Sequence, residues 1–354
     1  MTIKYLDSKR LEGVAGDLTA TPVIGVGGWK EVGRTTLGST TKPITVSSIP
    51  DKRYYMILVD MNKSGNATTQ FRYGNSTIDT GSNYADRGSY NGVVDGTPRT
   101  SASTHEMATA NAGVGDFIVG YIANLSAKEK LMQYHWVYNS TNGSGTAPER
   151  AEKVGKWTNG GVSAVIDTMQ LYNSQSGNYL SGSEVVVLGW DPTDTHTTNF
   201  WEELASVNGS GSNTLSSGTI TSKKYLWLQF YLDPSASYTP RVNFNGDTES
   251  NYNNRYNING GTDASDGAES GYYSGFGGGV PQFSNMFIIN NSANEKLAMN
   301  HMVYQNTAGA GNAPERAESV GKWANTSSQI TSIDITGGSA TLSTSSFMKV
   351  WGSD

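Results

Sequence analysis

The sequence predicts an all-β protein built as two tandem, duplicated, jelly-roll-like β-sandwich domains, and three observations predict it. First, the stretch AKEKLMQYHWVYNSTNGSGTAPERAEKVGKW at 127–157 is written again, without a gap, as ANEKLAMNHMVYQNTAGAGNAPERAESVGKW at 293–323, with 20 of 31 positions identical. A period of about 170 residues is too long for a solenoid and fits a whole domain. Second, short apolar alternations are separated by clusters of Gly, Asn and Ser, the pattern of sandwiches and barrels, and long helical periodicity is nearly absent. Third, 354 residues correspond to roughly two domains, each able to bury a core without staples.

Composition narrows the chemistry. With no cysteine, disulfides, iron–sulfur clusters and thiolate zinc sites are excluded. A net charge of -6 argues against a nucleic-acid partner, which a basic stripe would mark. No apolar run approaches the roughly 18 residues of a membrane span, and MTIKYLDSKRLEG has no apolar h-region, so neither a membrane partner nor a secretory signal is expected. There are 42 glycines, 19 tyrosines and 8 tryptophans, with only 16% charged residues, a balance common in proteins of particle surfaces.

Taken in order, residues 1–28 have no counterpart in the second half and form an N-terminal arm, suited either to covering a sheet edge or to tethering a partner. Domain 1 spans 29–191. WKEV at 29–32 answers WEEL at 201–204. ITVSSIPDKRYYMILVDM at 44–61 reads as two strands meeting at a Pro–Asp turn, and GTITSKKYLWLQFYL at 218–232 is its counterpart. The stretches 70–87 and 241–255 share Ser–Asn–Tyr followed by an arginine three residues after the tyrosine. Glycine-rich segments at 88–115 and 257–279 read as exposed loops. A strand follows in each copy, then the repeated block, whose EKLMQYHWVYN alternates as a strand. SGSEVVVLGWD at 181–191 matches TSSFMKVWGSD at 344–354, leaving 192–198 as linker and 199–354 as domain 2. Some eight short strands per domain are expected.

Candidate chemistry is sparse. The identical loop APERAE carries Glu149, Arg150 and Glu152, repeated as Glu315, Arg316 and Glu318. Two acids flanking an arginine fit a loop fixed by ion pairs better than a glycosidase pair, whose acids sit in an aromatic cleft. His135 and His301 occupy matched strand positions with no second histidine at ligand spacing, so packed, hydrogen-bonded roles are expected. Asp79, Asp247, Glu249, Asp263 and Asp266 lie in Asn/Gly-rich loops and are the candidate oxygen ligands should calcium bind; no EF-hand spacing accompanies them and no other cofactor is implied. Trp157 and Trp323 are expected in the cores, while Tyr134, Trp136, Trp190, Trp201 and Trp227 complete the aromatic pool for a sugar-binding face. No nucleophile elbow, P-loop, zincin or dinucleotide-binding motif occurs, so no reaction is proposed.

IKYLDSKR at the start, RVNFNGDTESNY in the middle and GSEVVVLGWDP at a domain end give the chain a likeness, over most of its length, to virion structural proteins of tailed viruses of marine phage type. That resemblance implies a β-sandwich subunit made in the host cytoplasm without a signal peptide, assembled on a head or tail, with no catalytic residue to carry over. The expected function is a non-catalytic structural component of a virus particle, of capsid-decoration, head-fibre or tail-appendage type. Its partners would be itself, as a homo-oligomer for which a trimer is an option, and other virion proteins. A double jelly-roll major capsid protein is the alternative within that class. A carbohydrate- or receptor-binding module, with exposed aromatics in the 88–115 and 257–279 loops and a host surface glycan or receptor as partner, is the alternative outside it. A polysaccharide hydrolase would need two acids in an open cleft.

Overall fold

The computed structural model describes residues 28–110, 115–158, 164–194, 198–273 and 278–354; the expected arm at 1–28 lies, but for Gly28, outside them. All regular structure among these residues is strand, in two tandem β-sandwiches. Domain 1 pairs an eight-stranded sheet with a five-stranded one, domain 2 an eight-stranded with a four-stranded one, and every ladder is antiparallel. Edge to edge, the large sheet of domain 1 begins Lys30–Thr36, Glu184–Trp190, Tyr54–Met61 and Gly115–Ala123. It continues Lys130–Asn139, Glu149–Trp157, Tyr84–Tyr90 and Arg99–Ala102. Domain 2 repeats this order from Glu202–Asn208 and Phe347–Ser353 through to Tyr252–Ile258 and Ala264–Glu269.

The large sheets are covered on both faces, and their residues say why. In Tyr54–Met61, Tyr55, Ile57, Val59 and Met61 enter the sandwich core of domain 1, while Met56 and Leu58 point the other way into a second apolar layer. Strand side chains alternate between faces, so a strand apolar on both faces is covered twice. That second layer joins Phe117, Val119, Val137, Val186 and Leu188 of domain 1 to Tyr225, Phe287, Ile289, Leu297, Met299 and Val320 of domain 2. The molecule is therefore four layers deep, with the large sheets back to back and the small sheets outside.

Three expectations change. The segments around the Pro–Asp turn do not form a hairpin: Ile44–Val46 pairs with Thr168–Tyr172 in the small sheet, whereas Tyr54–Met61 lies in the large one. The turn carries the chain across the sandwich. The glycine-rich segment 88–115 is not all loop, since Arg99–Ala102 and His105–Ala110 are strands. Strand number exceeds eight per domain because such short pieces, without apolar runs of their own, are held by ladder bonds to longer neighbours.

Candidate functional site where the two repeats meet

In each copy the repeated block is a hairpin. Lys130–Asn139 pairs with Glu149–Trp157 so that His135 lies opposite Glu152; Lys296–Tyr304 pairs with Glu315–Trp323 so that His301 lies opposite Glu318. Gly143 (φ +90°) and Gly309 (φ +92°) take the left-handed conformation in the two connecting loops, where a side chain would be strained. The histidines and glutamates point to the outer face of each large sheet, and the back-to-back packing brings the two hairpins together. The His135 and His301 rings meet edge to face, 4.3 Å between centroids, and His301 Nε2 lies 4.0 Å from Glu152 Oε1. Equivalent residues touching each other is the mark of a local two-fold axis between the domains.

Arg150 organises the charges around this axis. Buried, it donates to Glu152 (2.6 Å), to Asp263 of domain 2 (2.8 Å) and to Glu318 (3.3 Å). Its counterpart Arg316 is exposed and pairs with Glu318. Burial and the neighbouring Glu318 push the Glu152 carboxyl up to about 7, against the pull of Arg150. Burial, then the charges of His301 and Arg150, hold His135 down to about 3, and burial lowers His301 too, so both rings are neutral near pH 7.

Away from the axis the symmetry breaks. On one side the 140–148 loop docks on domain 2: Ser144 O accepts from Asn253 Nδ2 (2.7 Å) and the Ala268 amide (2.9 Å), and Pro148 O accepts from Arg255 Nε (2.8 Å). Glu184 accepts from Tyr225 (2.8 Å) and Lys224 (3.1 Å), and Asn139 pairs with Glu295 (2.7 Å) and Lys322 (2.9 Å). On the other side no corresponding contacts are made among the described residues. The counterparts of the buried Leu297 and Val320 (2% and 4% exposed) are Leu131 and Val154, 58% and 54% exposed. The counterparts of the buried Phe117 and Val137 are Phe283 and Val303, both exposed. Leu131 and Val154 line a groove of about 780 Å³ with Trp29, Tyr54, Tyr121 and Trp190 along its walls. Arg87, Arg99, Gln133 and Lys156 supply its polar margin.

The other sequence candidates scatter. Asp79 and Asp247 are matched turn carboxylates whose oxygens accept from N–H donors. Asp79 accepts from Trp157 Nε1, the Gly81 amide and Asn83 (2.8 Å each); Asp247 accepts from Trp323 Nε1 (2.7 Å), the Glu249 amide (2.9 Å) and Asn251 (2.9 Å). Burial alone would raise the Asp247 carboxyl, and these bonds bring it below its ordinary value. The Glu249 side chain is exposed on that turn, and Asp266 bonds Tyr256. Asp263 sits on Arg150 instead of among loop acids. Glu149 lies near Arg255, and Glu315 accepts from Tyr304. Trp157 and Trp323 are core residues as expected. In the described parts of the glycine-rich segments Tyr90 and Tyr273 are half-buried and Tyr272 is buried, so among the described residues the exposed aromatics expected there are not found. The groove escaped the sequence because its lining is gathered from strands far apart in the chain of domain 1, and the histidine pair because it needs the partner domain; the repeat itself was the signal that two copies could meet.

No known protein family matches the chain, and no curated protein does. Two solved structures align over most of it: the outer membrane protein OprG from Pseudomonas aeruginosa, at 7% identity and a TM-score of 0.09 (85% of this chain, 97% of that one), and a Pseudomonas aeruginosa FadL homologue, at 9% identity and 0.10 (86% and 91%). At such scores neither bears on this protein.

Proposed function

We propose that the protein is a non-catalytic structural component of a virus particle, of decoration, head-fibre or tail-appendage type, which works by assembling with copies of itself. One observation carries the self-assembly: a patch that domain 2 buries against domain 1 is bare on domain 1, and the surface that covers it is bare on domain 2. Apolar side chains left bare here, where their repeat counterparts are covered, and rimmed by polar residues are where a partner surface would dock. The occupant that fits is domain 2 of a second copy, its Phe283 and Val303 on Leu131 and Val154. Its 306–314 loop would lie beside Arg87, the repeat counterpart of the Arg255 that holds Pro148. Contacts between unlike surfaces propagate into rings or filaments, which suits a particle component. The repeated acids, which lie on strands Glu149–Trp157 and Glu315–Trp323 and not in the loop expected, support a structural role, because arginine binds Glu152 and Glu318 beside a cavity of only about 10 Å³, too small for a sugar.

Light scattering on the purified protein tests this. The wild type is expected to form oligomers, and Leu131→Asp or Val154→Asp, both at exposed positions, to yield folded monomers. A wild type monomeric at every concentration, or oligomers indifferent to both substitutions, would overturn the self-assembly. A second reading, glycan binding, is favoured by the Tyr54 and Trp190 rings, stacked 5.5 Å apart in the same groove beside Arg87 and Gln133. A monomer whose tryptophan emission shifts with added oligosaccharide would select it.

A further inference from the structure

The local two-fold axis gathers one histidine and one glutamate from each copy of the repeat, all four at positions identical in the two copies. One ligand atom each from His135, Glu152 and His301 lie within 4.8 Å of one another, the three-residue cluster found among the described residues. These three and Glu318 wall a cavity of about 10 Å³, room for a single water or a single ion. Nδ1 of His135 is buried there without a hydrogen-bond partner. A buried, unpartnered imidazole nitrogen beside a carboxylate needs an explanation, since buried polar atoms in folded proteins are nearly always paired.

We propose that this cavity binds one divalent transition-metal ion of the zinc type, held by His135 and Glu152 of domain 1 and His301 of domain 2. Imidazole nitrogen with carboxylate oxygen is a donor set that zinc, cobalt and nickel accept and that the harder calcium and magnesium do not favour. Tetrahedral ligands at about 2.1 Å from zinc lie about 3.4 Å apart, so the three donors close in by little more than 1 Å. Charge also fits. Asp263, Glu152 and Glu318 set three carboxylates against the guanidinium groups of Arg150 and Arg316, an excess of one negative charge that favours a cation over an anion. Arg150, bonded to Glu152, then orients a ligand in the way that outer partners do at metal sites. Because the ligands come from both domains, the ion acts as a clamp across the sheet-to-sheet junction, independently of any self-assembly.

The test uses the full chain, stripped with chelator and titrated with Co²⁺ and with Zn²⁺. Expected are one ion per chain by calorimetry, visible ligand-field bands for Co²⁺ and a melting temperature that rises with Zn²⁺. His301→Ala and Glu152→Gln should each weaken binding at least tenfold, while Glu129→Gln, remote from the axis, leaves it unchanged. The His301 ring is over one-third exposed, so this variant remains informative even if His135→Ala does not fold. Absence of binding in the wild type at tenfold excess, or binding that survives both His301→Ala and Glu152→Gln, overturns the site.

Discussion

Single residues carry different weight in the two copies. Arg150 and Arg316 hold the same place in the repeat, yet Arg150 is buried on Asp263, Glu152 and Glu318, and Arg316 is exposed. Removing one partner of a buried pair leaves the other charge stranded, at about 3–5 kcal/mol. Urea denaturation should therefore show Arg150→Ala strongly destabilising and Arg316→Ala within about 0.5 kcal/mol of wild type. The turn carboxylates carry predictions of their own. Asp247→Ala strips the acceptor from the Trp323 indole, the Asn251 side chain and the Glu249 amide, and should cost about 1–3 kcal/mol. Millimolar calcium should leave the melting temperature of wild type unchanged, because these oxygens already hold N–H donors. Lys296 supplies a pH dependence. Burial lowers its ammonium from 10.5 to about 8, against the attraction of Glu295. Between those values the unfolded chain keeps a proton that the folded chain has released, so this lysine makes stability rise from pH 8 toward 10. Urea midpoints at pH 7.5 and 9.5 should show the rise, and Lys296→Met should reduce it while losing the ammonium's bonds to Asn294 O and Asn325 O.

At the scale of the element, the repeated hairpin is one structure in two environments. Its register is the same in both copies, with Leu131 opposite Lys156 and Leu297 opposite Lys322. Only the cover differs. Leu297→Ala removes a buried side chain and opens a cavity between the sheets, at about 2–5 kcal/mol, whereas Leu131→Ala should change monomer stability by less than about 0.5 kcal/mol. Thermal or chemical denaturation of the two variants, compared at equal concentration and in the monomeric background of Val154→Asp, checks the pair. The connecting loops follow the same logic. The 140–148 loop is pinned by Ser144 and Pro148, while residues 306–313 of its counterpart are exposed, although both contain the same glycine turn.

For the whole molecule, the shared layer between the large sheets makes the two sandwiches one cooperative unit. Wild-type unfolding should be a single transition by calorimetry, and Arg150→Ala should separate it into two, since that arginine joins the domains beside the apolar layer. The class of fold and its duplication were legible in the sequence, because strand alternation is local and the 31-residue repeat needs no structure to be seen. The core places of Trp157 and Trp323 followed from the same local pattern. The Asp79 and Asp247 turns were half legible: Ser–Asn–Tyr was visible in both copies, but the indole that each aspartate binds comes from 78 and 76 residues away. What the sequence determined was two like domains of short alternating strands; that the central strands are covered on both faces came from the structure. Only the tertiary structure decided that those strands face each other, that His135 finds His301 and Arg150 finds Asp263, and that one of two equivalent patches stays bare. The physical reason is that identical hairpins present identical faces, and which of them is covered depends on how two rigid sheets settle against each other, a choice no stretch of chain encodes locally.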